Sequence, residues 1–300
     1  MRIQDVVIHT NDYCQPHHLL TQPPYQGRFQ LAADLWVGML DDQFADMVID
    51  GCDPPGLWVQ KPPRLFGQLC AYVRESVPAE KMYEWDADNR LLTCVALSRL
   101  VHPTSISFKY AAQIVYGSNG KVKEVVPGPV KGHGADASPP TDDDRDWLID
   151  SDLEILKELV QHLPSANIPP RVWRAFWNHE FAARTQYADV RCTIITTALE
   201  ALIHTDRLKS TRQFTERVPQ LGADLGVANF SMDDAGTAYE LRSRLSHGQG
   251  LATFTQAERQ IYERMETILR AAIMRAILDN QFAQVFATDD VIRNRWPLAA

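Results

Sequence analysis

Residues 255–276 read TQAERQIYERMETILRAAIMRA, and this stretch sets the class of the second half of the chain. Thr255 with Glu258 three positions on is a capping-box pattern. The hydroxyl can accept from the amide of the third helical residue, while the carboxylate reaches back to the cap amide. Behind it Ile261, Met265, Ile268, Ala272 and Ala276 recur every three or four residues, which puts them on one face of a long helix. A helix with a single apolar stripe has to bury that stripe against other elements.

Working upstream, helices follow one another. Asp233 is the expected cap of a helix that ends at Gly248. Ser210 or Thr211 opens one reaching toward Leu221, interrupted or bent at Pro219. Val190 to His204 carries Val190, Ile194, Thr197, Leu202 and their neighbours on a broad apolar face. Pro169-Pro170 precedes a run from Arg171 to about Tyr187. Ser151 with Glu154 is another capping box, opening a helix through Leu163 that Pro164 ends. Strand signals nearly vanish here, so residues 145–300 are predicted to form an antiparallel, all-α helical bundle.

Residues 127–144 read differently. Pro127-Gly128-Pro129, Gly132-His133-Gly134 and Ser138-Pro139-Pro140-Thr141-Asp142-Asp143-Asp144 follow in turn. Prolines forbid helix, glycines add freedom, and successive aspartates repel one another. This is the expected linker. Before it, Val6-Val7-Ile8 suggests a strand, and Leu40, Phe44, Met47 and Val48 a helix ended by Gly51. Leu91 to Val101 suggests a buried helix stopped by Pro103. Ile106, Phe108 and Tyr110 alternate with polar residues, Asn119-Gly120 is a hairpin turn, and Val122 to Val126 is the return strand. Residues 1–126 are therefore predicted to be an α+β N-terminal domain.

Composition narrows the function classes. The net charge of −8 is unevenly spread: residues 1–150 hold 13 Lys and Arg against 20 Asp and Glu, and residues 151–300 hold 17 against 18. Fifteen of the latter cations are arginine. A general nucleic-acid binder would carry a broad basic field, whereas a local arginine patch remains open to this chain. Cys14, Cys52, Cys70, Cys94 and Cys192 have neither disulfide-framework nor zinc-ribbon spacing. No apolar run has the length of about 18–20 residues that a membrane helix needs. Met1 to His9 lacks the apolar core of an export signal, so the expected location is cytoplasmic.

Phosphate loops, dinucleotide fingerprints, serine elbows and zinc-binding helices are missing from the sequence. Adjacent histidines His17-His18 point in different directions and read as a solvated loop. Trp173, Phe176 and Trp177 can either stack a base or line a core, and their spacing favours the core. The distinctive stretch is Tyr239-Glu240-Leu241-Arg242-Ser243-Arg244-Leu245-Ser246-His247-Gly248. Arginine offers a planar fork for phosphate, and histidine titrates near neutrality and can move the proton of a ribose hydroxyl. Ser243 and Ser246 add supporting polar groups. Five residues rotate by about 140° on a helix, so Arg242 and His247 do not share a face. Either Gly248 unwinds the last turn, or two copies of the helix pair these groups across a dimer seam.

This stretch, together with Ala198-Leu199-Glu200-Ala201-Leu202-Ile203 on an earlier helix, resembles the HEPN family (higher eukaryotes and prokaryotes nucleotide-binding), in its Apea-like branch, over roughly residues 150–300. The resemblance implies an endoribonuclease site without metal or cofactor. Arg242 and His247 would be the catalytic pair, in a cleft between two protomers, with a 2′,3′-cyclic phosphate as product. It further implies an RNA substrate, a homodimer and a toxin or antiphage defence role. A protein regulator is an open partner, and a membrane is not an expected one. The alternative within the same fold is a non-catalytic dimeric interaction module or adaptor. Residues 1–126 resemble no named family. Limited proteolysis should cut first within residues 127–144 and release a helical fragment beginning near residue 145; earlier cuts elsewhere would move the boundary.

Overall fold

The computed structural model describes residues 6–9, 28–33, 35–39, 71–75, 90–103, 108–116, 122–127, 148–185, 187–246 and 254–299. The chain divides into two units, residues 1–161 and 162–300.

In the first unit the described strands are β1 (Val6–His9), β2 (Arg28–Ala32), β3 (Leu35–Met39), β4 (Ala71–Glu75), β5 (Phe108–Tyr116) and β6 (Val122–Pro127). They pair in the order β2-β3-β4-β1-β5-β6, every neighbour antiparallel. The strand expected near Val6 and the hairpin arms at Phe108–Tyr110 and Val122–Val126 fall on β1, β5 and β6. Helix α1 (Arg90–Val101) matches the expected buried helix and ends before Pro103. Its residues from Cys94 to Leu100 are all buried, the polar Ser98 and Arg99 among them. The expected helix ending at Gly51, Ile106, Asn119-Gly120, His17-His18 and the linker beyond Pro127 lie outside the described residues.

Helix α2 (Asp150–His162) buries Leu153, Leu156 and Leu159, and its Gln161 donates to the Leu31 carbonyl of β2 at 3.1 Å. The Ser151/Glu154 cap is not the one formed. The helix begins a residue earlier, and Asp152 accepts from the Ile149 amide at 3.0 Å instead.

The second unit is helical. It comprises α3 (Pro170–Ala183), α4 (Ala188–Ile203), α5 (Ser210–Asp224), α6 (Met232–Ser246), α7 (Gln256–Leu278), α8 (Asn280–Gln284) and α9 (Asp289–Arg295). Helix α4 packs against α3, α5, α6 and α7 and is the centre of the bundle. Its buried residues include Cys192, Ile195, Leu199 and Leu202. This corrects the apolar face expected on Val190, Ile194, Thr197 and Leu202: Val190 and Thr197 are exposed and Ile194 is half-buried. The buried seam is rotated by one position, because a helix this apolar carries more than one candidate stripe. Side chains buried completely, such as Leu199, each contribute about 1.5–3 kcal/mol.

The other ends follow local chemistry. The Thr255/Glu258 capping box forms as expected, and Ile261, Met265, Ile268, Ala272 and Ala276 are all buried. At α6 the cap is Ser231 rather than Asp233. The Ser231 hydroxyl accepts from the Asp234 amide at 3.1 Å, and Asp234 accepts from the Ser231 amide at 2.9 Å. Helix α5 runs unbroken through Pro219, and its first residue has no side-chain cap. It ends at Gly226, whose φ of 73° is left-handed. The Val227 amide reaches the Gly222 carbonyl at 2.9 Å and the Gly226 amide reaches Ala223 at 3.1 Å, the two bonds of a Schellman motif.

Arg217 on α5 is only 2% exposed. Its Nε donates to the Trp296 carbonyl at 2.9 Å. Its Nη1 donates to the Ile203 carbonyl and the Gln213 side-chain oxygen, both at 2.8 Å, and to the Thr205 hydroxyl at 3.0 Å. Trp296, itself buried, donates its indole N–H to Asp224 at 2.9 Å. Arg217→Met should lower the urea midpoint by the equivalent of about 2–4 kcal/mol, since it leaves several buried acceptors unbonded. A midpoint within experimental error of the parent would show that this network is dispensable.

Candidate functional site

The C-terminal turn of α4 meets the second half of α6. Helix α4 carries Glu200 and, just past its end, His204. One turn apart on α6 stand Tyr239 and Arg242, a spacing that puts them on one face. Arg242 Nη2 lies 3.5 Å from Glu200 Oε2, and the guanidinium carbon sits 5.6 Å from the centre of the Tyr239 ring. Glu200 Oε1 lies 3.9 Å from His204 Nε2. The Tyr239 ring packs on Phe214 at 5.3 Å, and its hydroxyl is near enough to Glu200 to feel that charge. Three polar side chains thus converge on one carboxylate.

Burial sets their charge states. Burial is the main influence on His204 and pushes its imidazole below the ordinary histidine value. Glu200 and the Ser210 carbonyl pull upward, and the cations Arg217 and Arg242 push down again. Burial, followed by the Glu200 charge, raises the Tyr239 phenol. The Arg242 side chain is 30% exposed, so part of its fork reaches solvent. Its contact with Glu200, at 3.5 Å, is at the long limit of a hydrogen bond.

Ser243 is half-buried on α6, and Ser246 is the last residue of that helix. His247 and Gly248 lie outside the described residues. Arg244 faces elsewhere: its Nη2 lies 2.8 Å from Glu258, which also accepts from the Thr255 amide and hydroxyl, both at 2.9 Å. The capping box of α7 is thereby tied to the end of α6. Of the aromatic trio, Phe176 is in the core and Trp177 is 41% exposed. His204 did not stand out in the sequence; the four-residue step from Glu200 was its only signal, and its nearness to Arg242 depends on how α4 and α6 cross.

A second polar cluster lies among α3, α4 and α7. His179 Nε2 is 3.6 Å from Glu266 Oε1, with Tyr262 and Arg191 beside them. Burial alone would raise the Glu266 carboxyl. The 3.6 Å contact with His179 and the charges of Arg270 and Arg191 outweigh it and hold that carboxyl below the usual range. Cys192, next along α4, is pushed up to about 12 by burial and is an inert thiol. Among the described residues, no three metal-type side chains gather, and no helix is long and apolar enough to cross a membrane.

These directions give a sign for pH. A histidine held below its unfolded value favours the fold above that value and opposes it as pH falls through and below it. Glu216, Glu258 and Glu266, all held low, contribute stability above the usual carboxyl range and lose it in acid. Stability should therefore decline below about pH 6.5 and again in acid. His204→Gln should flatten the first decline and leave the second. Superimposable urea-midpoint curves for parent and variant would contradict the assignment to His204.

No protein-family model, curated protein or solved structure matches this chain.

Proposed function

We propose that this chain is a metal-independent endoribonuclease of the HEPN type. What supports the reading is the Glu200–Arg242 contact. The two segments that carry the resemblance lie on separate helices, and they meet through that pair. Arg242 holds the scissile phosphate. His247 takes the proton of the ribose 2′-hydroxyl. The freed oxygen attacks phosphorus as the bond to the 5′-oxygen breaks, and the 5′-oxygen takes the proton that His247 returns, giving a 2′,3′-cyclic phosphate and a 5′-hydroxyl. Ser243 and Ser246 support the substrate. Two chains associate through the bundle, which resolves the 140° or so between Arg242 and His247.

Residues 1–126 form an α+β domain that senses a trigger or restrains the nuclease, in keeping with the acidity of the first half. RNA is the substrate, a protein regulator is a further partner, and the setting is toxin or antiphage defence in a cytoplasm.

The second reading, a non-catalytic dimeric module or adaptor, is favoured by one observation. Arg242 and Arg244 each face a glutamate, which is what a purely structural helix end would also show.

One assay separates the two readings: the purified full chain with end-labelled single-stranded RNA in EDTA. Cleavage is expected, with cyclic phosphate ends. His247→Ala should reduce it by about two to four orders of magnitude. Arg242→Lys should lose much of it, because an ammonium cannot reproduce the planar fork, and Arg244→Lys should lose less. Intact RNA at every concentration, with a folded protein, establishes the second reading. Sedimentation of the same sample should report a dimer at micromolar concentration.

A further inference from the structure

His204 is fixed from several directions. It closes α4, where its amide donates to the Glu200 carbonyl at 2.9 Å. Arg171 of α3 donates to its carbonyl at 2.5 Å. Its ring Nε2 lies 3.2 Å from the Ser210 carbonyl, so that nitrogen carries the hydrogen in the neutral form. The side chain is 22% exposed. The same Nε2 faces Glu200 Oε1, while the other oxygen of that carboxylate faces Arg242.

One carboxylate therefore stands between a titratable ring and the arginine of the candidate site. The charged and titratable groups around the ring are Glu200 on its own helix, Arg217 on α5, and Arg242 on α6, with Tyr239 of α6 on the far side of Glu200. Arg171 approaches only its backbone. A neutral ring leaves the carboxylate charge to Arg242. A charged ring competes for it.

We infer that His204 is a positioning residue for Arg242, acting through Glu200: the neutral imidazole leaves the carboxylate holding the guanidinium in place, and the imidazolium draws the carboxylate away and loosens it. The consequence for RNA cleavage rests on the ribonuclease reading above. The electrostatic link itself does not.

The test uses the full chain and two readouts. The first is the arginine side-chain 15Nε–1Hε spectrum, with the Arg242 signal assigned by its loss in Arg242→Lys. In the parent this signal should move as pH is lowered from about 8 to 5, the range in which a histidine changes charge. In His204→Gln, which keeps a donor for Ser210 but cannot titrate, it should stay still. If His204→Gln does not fold, Glu200→Gln carries the same test, since removing the shared charge should also silence the response. The second readout is cleavage of single-stranded RNA over the same range. Relative to its own neutral rate, His204→Gln should keep about two- to fivefold more activity at the acid end than the parent, the size of a partly exposed ion pair.

An Arg242 signal that moves alike in parent and variant, or in neither, overturns the inference whatever the cleavage assay shows. A signal that responds only in the parent, with no RNA cut by either protein, upholds the link and removes the ribonuclease reading instead. A parent-only response with identical acid limbs in the two cleavage profiles overturns the positioning role.

Discussion

One buried guanidinium organises the bundle. Arg217 enters the interior from α5 and bonds to the end of α4, to the turn that follows it, to its own helix and to the chain near Trp296. A charge removed from water needs several donors and acceptors in good geometry, or its burial is strongly unfavourable. Here two of the acceptors are backbone carbonyls, which have no freedom to move separately from the chain around them. The end of α4 is further held by Arg171, which reaches the Ala201 and His204 carbonyls and also pairs with Asp289. Two arginines thus satisfy the carbonyls that a helix C-terminus leaves unbonded. The candidate site stands on this anchored turn.

Glu200 is the electrostatic centre of that site. It faces Arg242, His204 and Tyr239 together, and only a carboxylate with several acceptor positions can do so. Its long separations from Arg242 and from the His204 ring describe a shared acceptor rather than a closed salt bridge. Arg244 offers the contrast. Its short contact with Glu258 belongs to a helix cap, already occupied by three donors. Two arginines two positions apart thus face different glutamates, one beside a histidine and one within a helix cap.

Much of the bundle was legible in the sequence because its signals are local. The Thr255/Glu258 box and the stripe from Ile261 to Ala276 involve residues within a turn or two of each other, and both form as read. Caps with several candidates were less legible: Ser231 outcompeted Asp233, and Asp152 supplied the return bond expected of Glu154. The seam of α4 was misread because that helix has neighbours on most sides, which removes the polar face that would mark its orientation. Continuity through Pro219 was also hidden, since packing and the Schellman end stabilise a helix that local propensity would interrupt. At the candidate site Arg242 was visible as a motif member. His204 was not, because no sequence spacing encodes the crossing of α4 and α6.

The His179–Glu266–Tyr262–Arg191 cluster has a consequence for how the helices find their alignment. Apolar seams of leucine, isoleucine and alanine tolerate a slide of one turn, because a similar surface recurs about every 5.4 Å. A buried carboxylate tolerates it less well, since sliding carries its charge away from the arginines beside it. Replacing all four with apolar residues of similar volume would leave the bundle equally stable or more so, while removing the penalty on misaligned packings. The cluster is then a registration mark, a feature whose value lies in the competing arrangements it makes unfavourable.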